Sequence, residues 1–254
     1  QAFVFDDRGG SRVALRPELT PSLARMVAQQ SQNLTRPIRW WSFGPFWRYE
    51  RPQKGRTREF FQWNVDFLGT DSVVADAEVA SIGAELLGAI GFTPSHITIR
   101  VNSRRLMESK VRKLGVPKVD YFKVFQLIDR MDRLSEDKWT DYAIERGLEK
   151  ALVWQLKELI SDRAQWRESE ELVGFFETVD MMGTREWFEF DPQIVRGLDY
   201  YTGMVFEARD RQGELRAILG GGRYDNLVSD VGGDTIAATG FAMGDVVVEL
   251  LARK

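Results

Sequence analysis

The chain has 254 residues, and its 35 Lys and Arg against 38 Asp and Glu give a formal net charge of −3 at pH 7; that length holds one large or two modest domains at about 150 residues each, and 43% hydrophobic with 29% charged residues excludes a disordered chain. The absence of Cys excludes disulfides, thiolate catalysis and thiolate metal sites, and the lone His96 excludes a poly-His metal centre. No apolar run approaches the ~18 residues of a membrane helix, and the start lacks the basic-then-apolar order of a signal peptide, so a cytoplasmic protein without a membrane partner is expected.

Residues 2–5 and 12–15 flank the turn cluster Asp6-Asp7-Arg8-Gly9-Gly10-Ser11 and predict a hairpin. Pro21 opens a helix. Two strand-like runs, 38–50 and 59–68, are joined by Arg51-Pro52-Gln53-Lys54-Gly55-Arg56 and predict an antiparallel pair. Val73, Ala77, Ala80, Ala84 and Leu87 recur at helical spacing over 71–91. Residues 96–101 alternate as a strand, and Asn102 or Ser103 can cap the helix that carries Met107, Val111 and Leu114 on one side. Between 119 and 186 the apolar spacing is helical and no strong strand signal occurs. Strand signals return at 188–190, 200–208 and 215–220, and a last helix follows Gly240-Phe241-Ala242-Met243-Gly244. The fold class is α+β: an antiparallel sheet from 1–118 and 187–254, flanked by helices and interrupted by a helical insertion over 119–186.

Four segments carry candidate chemistry. The window 48–59 places Arg48, Arg51, Lys54, Arg56 and Arg58 against Glu50 and Glu59. A basic strand–loop–strand with glycine at its tip suits a polyanion such as a nucleoside triphosphate, and a solvated hairpin fits the same charges. On the partner strand Gln62, Asn64 and Asp66 alternate with Phe61, Trp63, Val65 and Phe67. One face is therefore apolar, and the other is either a polar pocket floor or an ordinary solvent face. Arg196-Gly197-Leu198-Asp199-Tyr200-Tyr201-Thr202-Gly203 sets an arginine, a carboxylate and two tyrosines around a turn. An arginine fixed near a reacting phosphate can stabilise developing charge; a turn with half-buried tyrosines is the plain alternative. The run Gly220-Gly221-Gly222-Arg223-Tyr224-Asp225 permits close backbone approach, to a ligand or to a packed neighbour.

In order and over nearly the whole chain, these segments resemble the catalytic domain of class II aminoacyl-tRNA synthetases, specifically the histidyl-tRNA synthetase family. Phe46-Trp47-Arg48-Tyr49-Glu50-Arg51-Pro52 through Phe60 resembles motif 2 of the class, Leu15-Arg16-Pro17-Glu18-Leu19-Thr20 the amino-acid loop, and Arg196-Gly197-Leu198-Asp199-Tyr200-Tyr201 with Gly221-Gly222-Arg223-Tyr224-Asp225 the histidine-specific motifs. The resemblance implies activation of histidine by ATP with Mg2+ and transfer to tRNA(His), in a cytoplasmic homodimer. It implies Arg48 at the α-phosphate, Glu50 and Phe60 at the adenine, Arg56 at the γ-phosphate, and Arg196 as a catalytic arginine at the α-phosphate. It assigns Glu18, Thr20, Gln62, Asp66, Arg196, Tyr200 and Tyr201 to histidine, with no protein metal site.

The sequence departs from the family pattern in places. Asp66 stands where Glu is commoner. The chain begins past motif 1 and stops past motif 3, so no anticodon-binding domain is expected in it. Motif 3 carries Val247 where an ATP-binding arginine usually stands, and Arg223 is the nearest replacement by motif. The paralogous regulatory subunit of ATP phosphoribosyltransferase, which binds histidine without aminoacylation, is the alternative; it tends to lose the Arg-Gly and motif 2 residues that are present here.

Overall fold

A computed structural model describes residues 2–131, 134–195, 200–213 and 215–254. The first strands, β1 (Val4–Asp6) and β2 (Arg12–Ala14), pair as a hairpin outside the main sheet. Helix α1 (Thr20–Gln30) has proline in its first turn, where no backbone donor is needed. β3 (Ile38–Trp47) and β4 (Glu59–Leu68) pair antiparallel from Ile38 opposite Leu68 to Trp47 opposite Glu59. The rest of the chain runs α2 (Val73–Ile90), β5 (Ile97–Ser103), α3 (Arg104–Lys113), α4 (Tyr121–Asp129), α5 (Glu136–Glu145), α6 (Lys150–Ser161), α7 (Glu170–Met181), β6 (Phe188–Phe190), β7 (Met204–Asp210), β8 (Leu219–Arg223), α8 (Leu227–Asp230), β9 (Ala238–Gly244) and α9 (Asp245–Ala252).

Seven strands form one sheet in the order β3-β4-β9-β8-β7-β5-β6. Every pair is antiparallel except β5 with β6 at the edge. That pair is parallel because helices α3 to α7 carry the chain back to the same end of the sheet before β6 begins. Two strands start later than the periodicity predicts. β7 begins at Met204 and β8 at Leu219, so the glycine run lies inside a paired strand and not in a loop after it.

Period-2 alternation gives the sheet two unlike faces. Trp63, Val65 and Phe67 of β4, Phe241 and Met243 of β9, Leu219 of β8 and Phe206 and Ala208 of β7 face a core shared with α2 and α7. Helix α2 presents Ala77, Ala80, Ala84 and Leu87 to it, each fully buried, and is delimited by a Ser72 cap that accepts from the Val74 N–H and by Gly91 at φ 106°. The helices of 119–186 divide in their packing. α4, α5 and α6 build a separate cluster with Met107 and Val111 of α3 around the buried Trp139, whose indole N–H donates to the Leu127 carbonyl at 2.7 Å. α7 instead packs Leu172, Phe175, Phe176 and Val179 into the core of the sheet.

The opposite sheet face is built from small residues. Gly240, Ala242 and Gly244 of β9 stand opposite Asp66, Asn64 and Gln62 of β4, and Gly220 and Gly222 of β8 extend the same rows. Gly221 points the other way, and a Cβ there would strike the Gly240 carbonyl and approach the Phe206 ring at 2.6 Å. Overpacking of this kind costs about 1–3 kcal/mol, more where backbone must move. Gly221→Ala is therefore expected to lower the urea midpoint at an unchanged m-value, checked by tryptophan fluorescence.

Candidate active site

The small-residue face forms the floor of a cavity of about 930 Å³, at the upper end of ligand sites of about 300–1,000 Å³. Nine of the side chains assigned to ATP or histidine line it. Arg48, Glu50, Arg56 and Phe60 come from the β3–β4 hairpin, Glu18 and Thr20 from the entry to α1, Gln62 from β4, and Tyr200 and Tyr201 from the segment before β7. Asn64 and Tyr224 line it too, and Tyr224 was not assigned from the sequence. Its place follows from register: Gly220, Gly222 and Tyr224 alternate onto the cavity side of β8 and its continuation.

Arg48 is held from two sides. Its Nε donates to the Pro17 carbonyl at 2.8 Å, and its guanidinium lies 4.9 Å from the Phe60 ring centre. Burial pulls this guanidinium down from its ordinary value while Glu50 and Glu18 act against that; an arginine remains charged all the same. Glu50 forms an ion pair with Arg56 and accepts at its carbonyl from Arg58 Nε at 3.2 Å. The loop tip Gly55 has φ 75°, a left-handed conformation that favours glycine. A Cβ added there would meet the side chains of Val247 and Leu250 of α9 at 3.6 and 3.9 Å. The valine in motif 3 thus lies beside the loop tip while its side chain belongs to the core of the sheet.

Two assigned residues stand elsewhere. Asp66 is not in the cavity wall. It is buried behind Tyr224, whose hydroxyl donates to Asp66 Oδ1 at 2.5 Å. Burial pushes its carboxyl up to about 7, and the Tyr224 hydrogen bond only partly offsets this. Arg223 is a correction to the sequence reading. It alternates onto the core side of β8 with Leu219 and Gly221, is 1% exposed, and points away from the cavity. Its Nη2 lies 2.7 Å from Asp76 Oδ2 of α2, its Nη1 is 3.2 Å from Asp225 Oδ1, and it donates to the carbonyls of Thr70 and Ser72. A guanidinium so engaged is a structural tie and not a replacement ATP ligand. Arg196, the assigned catalytic arginine, lies outside the described residues.

The polar chemistry is graded along the cavity. At one end of the sheet are the basic hairpin loop, Gly244 and the turn before β8; at the other are the tyrosines and the Asp66–Tyr224 pair. Among the described residues no group of three His, Cys, Asp or Glu is placed to hold a metal ion.

The histidyl-tRNA synthetase family model matches residues 1–245. The chain is 41% identical over its full length to a chloroplastic/mitochondrial histidine–tRNA ligase of Arabidopsis thaliana, covering 54% of that protein, and 38% identical to a histidine–tRNA ligase of Thermoplasma volcanium, covering 61% of it. It spans between half and two thirds of these relatives' lengths. The fold is similar to the histidyl-tRNA synthetase of Nostoc sp. PCC 7120, with TM-score 0.84 at 22% identity, over 99% of this chain and 62% of that one. It is also similar to an ATP phosphoribosyltransferase regulatory subunit/histidyl-tRNA synthetase of Bacillus halodurans, with TM-score 0.79 at 23% identity, over 100% of this chain and 67% of that one.

Proposed function

We propose, from the premise that this chain belongs to the histidyl-tRNA synthetase family, that its cavity condenses histidine with ATP to histidyl-adenylate for transfer to tRNA(His). The observation that carries this reading is the meeting in one cavity of Arg48, Arg56, Phe60 and Gln62 from the β3–β4 hairpin with Glu18, Tyr200 and Tyr201 from two other segments. The core of 1–118 and 187–254 would carry the chemistry, with 119–186 as an insertion. A cytoplasmic homodimer is part of the same reading.

In the proposed reaction the histidine carboxylate attacks the α-phosphorus and pyrophosphate leaves. Negative charge develops on the α-phosphate oxygens, and Arg48 would stabilise it; its contacts with the Pro17 carbonyl and the Phe60 ring, which hold the guanidinium before substrate arrives, support that role. The substrate's ammonium group needs acceptors, which Glu18 and Gln62 supply; its imidazole needs the hydroxyls of the tyrosines. A site built from such bonds rejects amino acids that lack the matching groups. Mg2+ would arrive with the nucleotide, since it binds through phosphates and one or two carboxylates; Glu207, a carboxylate of the cavity lining not assigned to either substrate, would be the residue to hold it.

ATP–pyrophosphate exchange with each amino acid in turn tests the reading. Exchange with histidine alone supports it; histidine binding with no exchange favours the regulatory-subunit alternative. If Arg196 contributes as the family resemblance implies, Arg196→Ala should slow exchange by about 10²–10³-fold, the loss seen when one transition-state donor is removed, while histidine binding measured by calorimetry changes little.

A further inference from the structure

The cavity wall formed by α9 offers no cation to a nucleotide. Asp245, Val246 and Val247 stand there, and Asp245 Oδ1 accepts from the Phe61 N–H at 3.0 Å. Beyond Arg48 and Arg56, the cationic side chains among the described residues that line the cavity are Arg209 and Arg216. Arg209 is held on β7 by Glu207, its Nε 2.5 Å from Glu207 Oε1.

Arg216 belongs to the turn between β7 and β8 and is exposed. The turn is anchored on both sides: the Leu215 N–H donates to Asp210 Oδ1 at 3.2 Å and the Ile218 N–H to the Ala208 carbonyl at 2.8 Å. Across the sheet, Ile218 accepts at its carbonyl from the N–H of Gly244, the residue that precedes α9. Gly244 in turn stands opposite Gln62 at the start of β4. One row of hydrogen bonds therefore places the Arg216 turn at the same end of the sheet as the loop carrying Arg56, with the first turn of α9 between them.

We infer that Arg216 binds the phosphate tail of ATP from the wall opposite Arg56, supplying from the β7–β8 turn the cation that α9 lacks at Val247. Resting on the reading of this cavity as the ATP site, the inference adds a nucleotide-binding residue from a segment outside the synthetase motifs. An arginine fork on a polyphosphate is charge-assisted and geometrically matched, and lysine reproduces its charge but not its fork.

The test is steady-state ATP–pyrophosphate exchange by the full chain and its Arg216→Ala and Arg216→Lys variants. Arg216→Ala should raise the KM for ATP about tenfold with the KM for histidine within twofold of wild type, and Arg216→Lys should fall between the two. An ATP KM within twofold of wild type in Arg216→Ala, or equal losses for ATP and histidine, would overturn the assignment and leave the proposed function standing. A wild-type chain that neither exchanges nor binds ATP would overturn both.

Discussion

Replacing Arg223 with alanine is expected to lower the thermal midpoint by about 6–20 °C and to leave ATP recognition by the folded protein unchanged. The buried guanidinium meets Asp76 at 2.7 Å, with both side chains 1% exposed. Burial pulls Arg223 down from its ordinary value, and Asp76 and Asp225 push it up by more. Burial pushes Asp76 up to about 6 against Arg223, so the pair is ionised at neutral pH. Removing one partner of such a pair strands the other charge, at about 3–5 kcal/mol. For 150–250 residues each kcal/mol moves the midpoint by about 2–4 °C. Two carbonyls, of Thr70 and Ser72, also lose their donor. A double variant, Asp76→Leu with Arg223→Met, should recover part of the loss because no lone charge remains. Differential scanning calorimetry decides it: a midpoint within 3 °C of wild type, with weakened ATP binding, would return Arg223 to the nucleotide.

That reversal of role shows what the sequence could and could not disclose. The strand Glu59–Leu68 was legible to the residue, because four apolar side chains alternate with three polar ones. The polar face could have met water or a ligand; only the glycines and alanine of β8 and β9 opposite it make a cavity floor. Arg223 was misassigned because a motif names a segment and not the face each residue takes. Alternation along β8 and its continuation puts Tyr224 toward the cavity and Arg223 toward α2. One signal was available: Asp76 lies three residues after Val73 and one before Ala77, on the stripe of α2 that reads as core. A carboxylate on a buried stripe demands a cation. The parallel β5–β6 edge had no such signal, since a three-residue strand carries too little pattern to show its direction. Arg216 escaped notice because an exposed arginine in a turn looks like any solvated charge.

The second large effect concerns pH. Wild-type stability is expected to fall relative to Asp66→Asn as pH rises from 4 to 7. Burial pushes the Asp66 carboxyl from 3.8 to about 7, so between those values the native state holds a proton that the unfolded chain has released. Stability falls with pH wherever the native state binds more protons. The contribution is fully present below about pH 4 and is lost as pH rises through about 7. At 1.36 kcal/mol for each pH unit crossed, the change is about 4 kcal/mol. Asp76 acts in the same direction up to about pH 6, so the measured quantity is the difference between the two proteins and not either curve alone. Asparagine keeps an acceptor for Tyr224 and has no proton to lose. Urea unfolding at pH 4.5, 6 and 7.5 should show the gap widening against wild type, and parallel curves would mean that Asp66 is ionised in the native state throughout. Tyr224→Phe separates burial from hydrogen bonding. The hydroxyl pulls Asp66 down, so its removal should carry the window above pH 7; an unmoved window would mean that the 2.5 Å contact has no weight in the titration of this site.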